Sequence, residues 1–87
     1  MVSAQVTIVN KSGLHARPAS VFVKETLKYK SSITIKMGDK SYNGKSILGV
    51  LGACVKCGAT FELICDGPDE KEALEGMSAL VASGLGE

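Results

Sequence analysis

The spacing of apolar residues along this chain switches repeatedly between every second position and every third or fourth, and no segment holds either spacing for long. Such a pattern calls for short strands interleaved with short helices. In residues 4–9, Ala4, Val6 and Ile8 share one side of an extended segment that ends at the breaker cluster 10–13. From Ala16 to about Tyr29 the period changes, with Ala19, Phe22, Val23 and Thr26 at helical spacing. Ile33, Ile35 and Met37 alternate with polar residues up to Gly38-Asp39, a pair suited to a type II′ hairpin because glycine accepts positive φ. Residues 40–43 return as the partner strand. Ser46 stands where an N-cap would, ahead of one or two helical turns at 47–51. Residues 60–66 place Phe61, Leu63 and Cys65 on one face of a fourth strand. Asp69 and Glu72 are spaced as a capping box, and Ala73, Leu74, Met77, Leu80 and Val81 carry a last helix to about Ser83, before Gly84.

The predicted order is βαββαβα, an α+β fold. Each strand has one apolar face, so the economical arrangement has two layers: an antiparallel sheet covered by helices on one side and open to water on the other. With 87 residues there is material for a single domain, 1–87, and no more. Ten Lys and Arg against nine Asp and Glu leave a formal charge of +1, which provides no general drive toward nucleic acid or an anionic membrane. The first residues lack the basic and apolar regions of a signal peptide, and nothing resembles a membrane span, so the expected location is the cytoplasm.

The chemistry concentrates around the one histidine, in Gly13-Leu14-His15-Ala16-Arg17-Pro18-Ala19-Ser20. Pro18 is tolerated in a first helical turn, where its missing N–H has no intrahelical partner, so the helix starts just before it. His15 then falls at the N-cap, beside the free N–H groups of Ala16 and Arg17 and the positive end of the helix dipole, an arrangement that binds anions. The Arg17 guanidinium can fork onto phosphate oxygens. Positive surroundings favour the neutral imidazole, the form that attacks phosphorus, and they also hold the oxygens of the product.

These residues resemble the active-site signature of the HPr family, the histidine-containing phosphocarriers of the bacterial phosphoenolpyruvate-dependent sugar phosphotransferase system. The likeness covers essentially the whole chain and includes Lys45-Ser46-Ile47-Leu48-Gly49-Val50, which is similar to the Gram-positive type. It implies an open-faced β-sandwich with a four-stranded antiparallel sheet and three helices. It implies that His15 receives phosphate on Nδ1 from phosphorylated enzyme I and gives it to a histidine of a sugar-specific enzyme IIA, with Arg17 steadying the group. It marks Ser46 as the target of an ATP-dependent HPr kinase/phosphorylase, after which a catabolite-control repressor binds. Ile47, Leu48 and Leu51 would form the docking patch, bordered by Ser20 and Lys24. A monomer that binds no cofactor or metal is expected. The stretch Gly52-Ala53-Cys54-Val55-Lys56-Cys57-Gly58 departs from the family pattern by its cysteines, which bears on the second helix and on partner preference.

Other readings are weaker. A metal or redox site at Cys54 and Cys57, with Cys65 as a third ligand, lacks the four ligands of a structural zinc site, and buried inert thiols are the expectation. Gly44-Lys45-Ser46 looks like the tail of a nucleotide-binding loop, but five residues separate Gly38 from Gly44 where that motif needs four. A purely regulatory homologue would lack the acceptor histidine that this chain carries.

Overall fold

The computed structural model describes residues 1–85. Its elements follow the predicted order: β1 (Val2–Thr7), α1 (Ala16–Thr26), β2 (Ser32–Met37), β3 (Lys40–Asn43), α2 (Ile47–Ala53), β4 (Thr60–Asp66) and α3 (Glu70–Ala82). The four strands form one sheet in the order β1-β4-β2-β3, and every pairing is antiparallel. Gly38, at φ +64°, turns β2 into β3 with Met37 opposite Lys40.

The bounds of β1 and of α1 differ from the expectation, and backbone hydrogen bonding explains both; α2 runs two residues further than expected, to Ala53. β1 begins at Val2 because its ladder is set by β4: Val2 lies opposite Cys65 and Thr7 opposite Thr60. Beyond Thr7, Ile8 leaves the strand but donates its N–H to the Ala59 carbonyl at 2.9 Å and accepts from Gly58 at 2.8 Å. α1 closes at Thr26, and its chain then tightens into three-residue turns, with Lys28 donating to the Glu25 carbonyl at 3.1 Å and Tyr29 to that of Thr26 at 3.2 Å.

The helices cover one face of the sheet. Val6, Ile33, Ile35, Phe61, Leu63 and Cys65 are buried beneath them, while Ser3, Gln5, Thr7 and Lys36 face outward. α1 contributes Ala19 and Phe22, α2 Val50 and α3 Ala73, Met77 and Val81. Phe22 meets Phe61 edge to face with ring centroids 6.5 Å apart, an arrangement in which the positive ring edge addresses the negative face. Among the described residues no helix is long and apolar enough to cross a membrane.

The capping box expected at α3 is not formed. Asp69 occupies the N-cap position but makes no cap hydrogen bond. Its carboxylate instead accepts from the backbone N–H groups of Lys30 and Ser31, both at 2.9 Å, and from the Ser31 hydroxyl at 2.5 Å. The donors free after α1 compete for the same carboxylate, and they win because two amides and a hydroxyl converge there. Hydrogen bonding from Ser31 and Lys30 holds the Asp69 carboxyl down at about 2.

Candidate functional site

The loop between β1 and α1 is built so that one side chain alone projects from its end. Asn10 anchors it, donating from Nδ2 to the Gly13 carbonyl at 2.8 Å and accepting from the Gly13 N–H at 3.2 Å. Gly13 sits at φ +65°, and a Cβ there would come within 2.5 Å of the Val55 carbonyl oxygen, so both the conformation and the close approach require glycine. Leu14 then donates its N–H to that same Val55 carbonyl at 2.8 Å and buries its side chain in the core. With Leu14 pointing inward, His15 is exposed.

His15 is the N-cap of α1, as expected, with extended backbone at φ −144° and ψ 151°. Its imidazole makes no cap hydrogen bond. The ring is therefore not consumed in holding the helix. Ala16 enters the helix at φ +52°, a left-handed conformation that costs a non-glycine residue about 1 kcal/mol or more. The spacing of the sequence contains no sign of this turn. Such backbone strain clusters at functional positions. The Arg17 side chain is exposed and makes no hydrogen bond or ion pair among the described residues, while Pro18 is buried.

His15 also opens onto a cavity of about 280 Å³, shared with Leu51, Cys54, Val55 and Lys56. The other expected residues divide around it. Ser46 caps α2, its Oγ accepting from the Gly49 N–H at 3.2 Å. Leu48 is 79% exposed and Ile47 39%, whereas Leu51 is half-buried and Val50 fully buried. Ser20 and Lys24 are exposed on α1, which packs against α2, but neither lines the cavity.

The thiols depart from the expectation of burial. Cys65 is buried in β4, and desolvation pushes its thiol up to about 11. Cys54 and Cys57 are exposed because both lie in the loop after α2, outside the sheet. Among the described residues no three His, Cys, Asp or Glu side chains converge on a metal position. Cys54 is the left-handed C-cap of α2, at φ 52° and ψ 42°, a position that glycine ordinarily fills. Sequence reasoning had no means of placing this residue in the His15 cleft, because the approach of the two loops is a tertiary contact between Leu14 and Val55.

Comparison with known proteins places this site in context. The family profile described as the PTS HPr component phosphorylation site matches residues 2–83. The chain is 42% identical over 81 residues to an HPr-like protein Crh of Halalkalibacterium halodurans, covering 93% of this chain and 96% of the relative. It is 40% identical to the phosphocarrier protein HPr of Lysinibacillus sphaericus, covering 93% and 92%. Among solved structures, an HPr of Thermoanaerobacter tengcongensis superposes with a TM-score of 0.96 at 39% identity over 100% of this chain and 98% of that one. An HPr dimer from the same organism gives 0.77 at 38% identity, covering 100% of both chains.

Proposed function

Given that this chain belongs to the HPr family of phosphocarrier proteins, we propose that it accepts a phosphoryl group from phosphorylated enzyme I on His15 and donates it to an enzyme IIA domain of the sugar phosphotransferase system. The observation that carries this reading is the exposed His15 ring, free of any cap hydrogen bond, two residues before an arginine with no ionic partner among the described residues. In the first transfer, Nδ1 of the neutral imidazole attacks phosphorus as the bond to the donor breaks. The second transfer reverses the roles. Arg17 neutralises charge on the phosphoryl oxygens, and the amides of Ala16 and Arg17 at the helix start add donors. The protein is a carrier in a relay, acting as a monomer in the cytoplasm and needing no cofactor or metal of its own.

Ser46 is the regulatory site, phosphorylated by HPr kinase/phosphorylase. A phosphate there adds about −1.5 to −2 charge over the start of α2, where the dipole tolerates it. Repulsion then slows exchange with enzyme I, and the modified face, with Ile47, Leu48 and Leu51 as its apolar part and Ser20 and Lys24 at its border, binds a catabolite-control repressor. Likeness to Crh favours a second reading, a purely regulatory protein that works through Ser46 alone. His15 speaks against it.

One experiment separates the two readings. Incubation with phosphoenolpyruvate and enzyme I should yield a single acid-labile, alkali-stable phosphate, and His15→Ala should abolish it. Labelling that survives that substitution refutes His15 as the acceptor, and no labelling of the native protein leaves the regulatory reading standing.

A further inference from the structure

The residue before Ser46 has its charge committed elsewhere. The Lys45 ammonium donates to the Tyr29 carbonyl at 2.6 Å, in the turns that follow α1, and it makes no ion pair or second hydrogen bond among the described residues. Carbonyls past the last helical turn find no donor within the helix, and a lysine near a helix end commonly serves them. The Lys45 side chain is half-buried. The amine that would face a phosphate in a nucleotide-binding loop here ties the segment before α2 to the end of α1.

Ser46 is fixed by that same segment. Gly44 donates to the Ile33 carbonyl on β2 at 2.7 Å, and a Cβ on it would come within 2.8 Å of the Ile33 side chain. Lys45 donates its N–H to Asn43 Oδ1 at 2.9 Å, and Ser46 donates its N–H to the Asn43 carbonyl at 3.2 Å. Both of these bonds are local. The Lys45 ammonium adds a tie to a residue 16 positions back. Ser46 Oγ accepts from the Gly49 N–H, while its hydroxyl hydrogen makes no hydrogen bond among the described residues. The oxygen is thus oriented and its proton is available.

We propose that Lys45 is a positioning residue for phosphorylation at Ser46: its bond to the Tyr29 carbonyl fixes the backbone on which the Ser46 hydroxyl is presented to the kinase. The proposal rests on the reading of Ser46 as the kinase target. In the transfer, Ser46 Oγ bonds to the γ-phosphorus of ATP as the bond from that phosphorus to the ADP oxygen breaks, and the hydroxyl proton passes to a base of the kinase. Such a reaction depends chiefly on positioning. A serine on a loosened segment must be ordered on binding, and that entropy is taken from affinity. The loss therefore falls on KM, since the ordered complex reacts as before.

The test compares the parent chain with Lys45→Met, which keeps an unbranched stem without the charge, and Lys45→Arg, which restores a cationic donor. In Lys45→Met, amide hydrogen exchange at Ser46 should quicken by about tenfold, the scale of one charge-assisted hydrogen bond. KM for phosphorylation by HPr kinase/phosphorylase with ATP should rise by about the same factor, with kcat within about twofold. Lys45→Arg should recover most of both. Lys45→Gln, which also removes the charge but has a polar stem, should behave as Lys45→Met does and serves in its place if that chain does not fold. Unchanged exchange at Ser46 overturns the proposal whatever KM does, a raised KM then meaning that the kinase reads the charge itself. Faster exchange with an unchanged KM, or with a loss confined to kcat, overturns it too, since the bond then serves the fold alone. If the parent chain takes up no phosphate on Ser46, the reading of Ser46 fails instead, while the exchange rates still decide whether Lys45 holds that segment.

Discussion

The Leu14 amide donates to the Val55 carbonyl at 2.8 Å, and this bond brings together two loops distant in sequence, one ending in His15 and the other beginning at Cys54. It orients the His15 loop by burying Leu14 and turning the next side chain outward. The site is thus held by a backbone contact that neither loop makes alone.

The glycine beside that bond is the point at which the arrangement is most easily damaged. Gly13→Ala would place a methyl within 2.5 Å of the Val55 carbonyl at a φ of +65°. It should lower unfolding free energy by about 1–3 kcal/mol and slow phosphoryl uptake, because His15 moves with the loop. Urea titration and labelling from phosphoenolpyruvate would read the two effects, and an unchanged denaturation midpoint would show that the loops are not held as described.

Ser46 has a structural role separable from the regulatory one proposed for it. Ser46→Ala removes the acceptor for the Gly49 N–H and should cost about 1 kcal/mol. Ser46→Asp keeps a capping oxygen, so its stability should lie within about 0.5 kcal/mol of the parent chain. Its uptake of phosphate from enzyme I should nonetheless be slower. Equal transfer rates for Ser46→Asp and the parent would remove the proposed electrostatic inhibition.

Asp69 makes stability depend on acidity. Its folded carboxyl titrates at about 2, below the roughly 3.9 of an unfolded aspartate, so the native state binds fewer protons between those values. The stabilisation is present in full above the unfolded value and is lost as pH falls through about 4 to about 2. Asp69→Asn should be less stable at pH 7 and should lose less on acidification, measured as denaturation midpoints across that range. Parallel pH profiles for the two proteins would contradict the bonding to Lys30 and Ser31.

Cys54 is strained where it stands, at φ 52°. Cys54→Gly should raise stability by about 1 kcal/mol, since glycine adopts the left-handed cap without steric cost. Thermal melts of the two chains under reducing conditions would show it, and a destabilised glycine variant would mean that the side chain contributes packing that outweighs the strain.

Leu48 and Val50, two positions apart on α2, should behave oppositely. Leu48→Ser, at a position 79% exposed, should change stability by no more than about 0.5 kcal/mol while weakening the binding of enzyme I. Val50→Ala, fully buried, should cost about 2 kcal/mol through lost burial and the cavity left behind. Calorimetric titration with enzyme I beside urea titration separates the docking role from the packing one. If Leu48→Ser bound enzyme I as tightly as the parent, the apolar patch would lose its assignment.

What the sequence determined by itself is what local physics controls. Strand and helix periods follow from which side chains must share a face, and so the order of seven elements, the Gly38 turn, the His15 and Ser46 caps and the bounds of β4 were all legible in the order of residues. The tertiary structure decided the rest. Asp69 left its own helix for donors 38 and 39 residues away, and β1 stops at Thr7, where its ladder with β4 ends, although its apolar alternation runs on to Ile8. The left-handed turn at Ala16 and the meeting of Cys54 with His15 in one cavity belong to the same class. Each depends on groups distant along the chain that compete for a partner or a space, and that competition is resolved only when the whole core is packed.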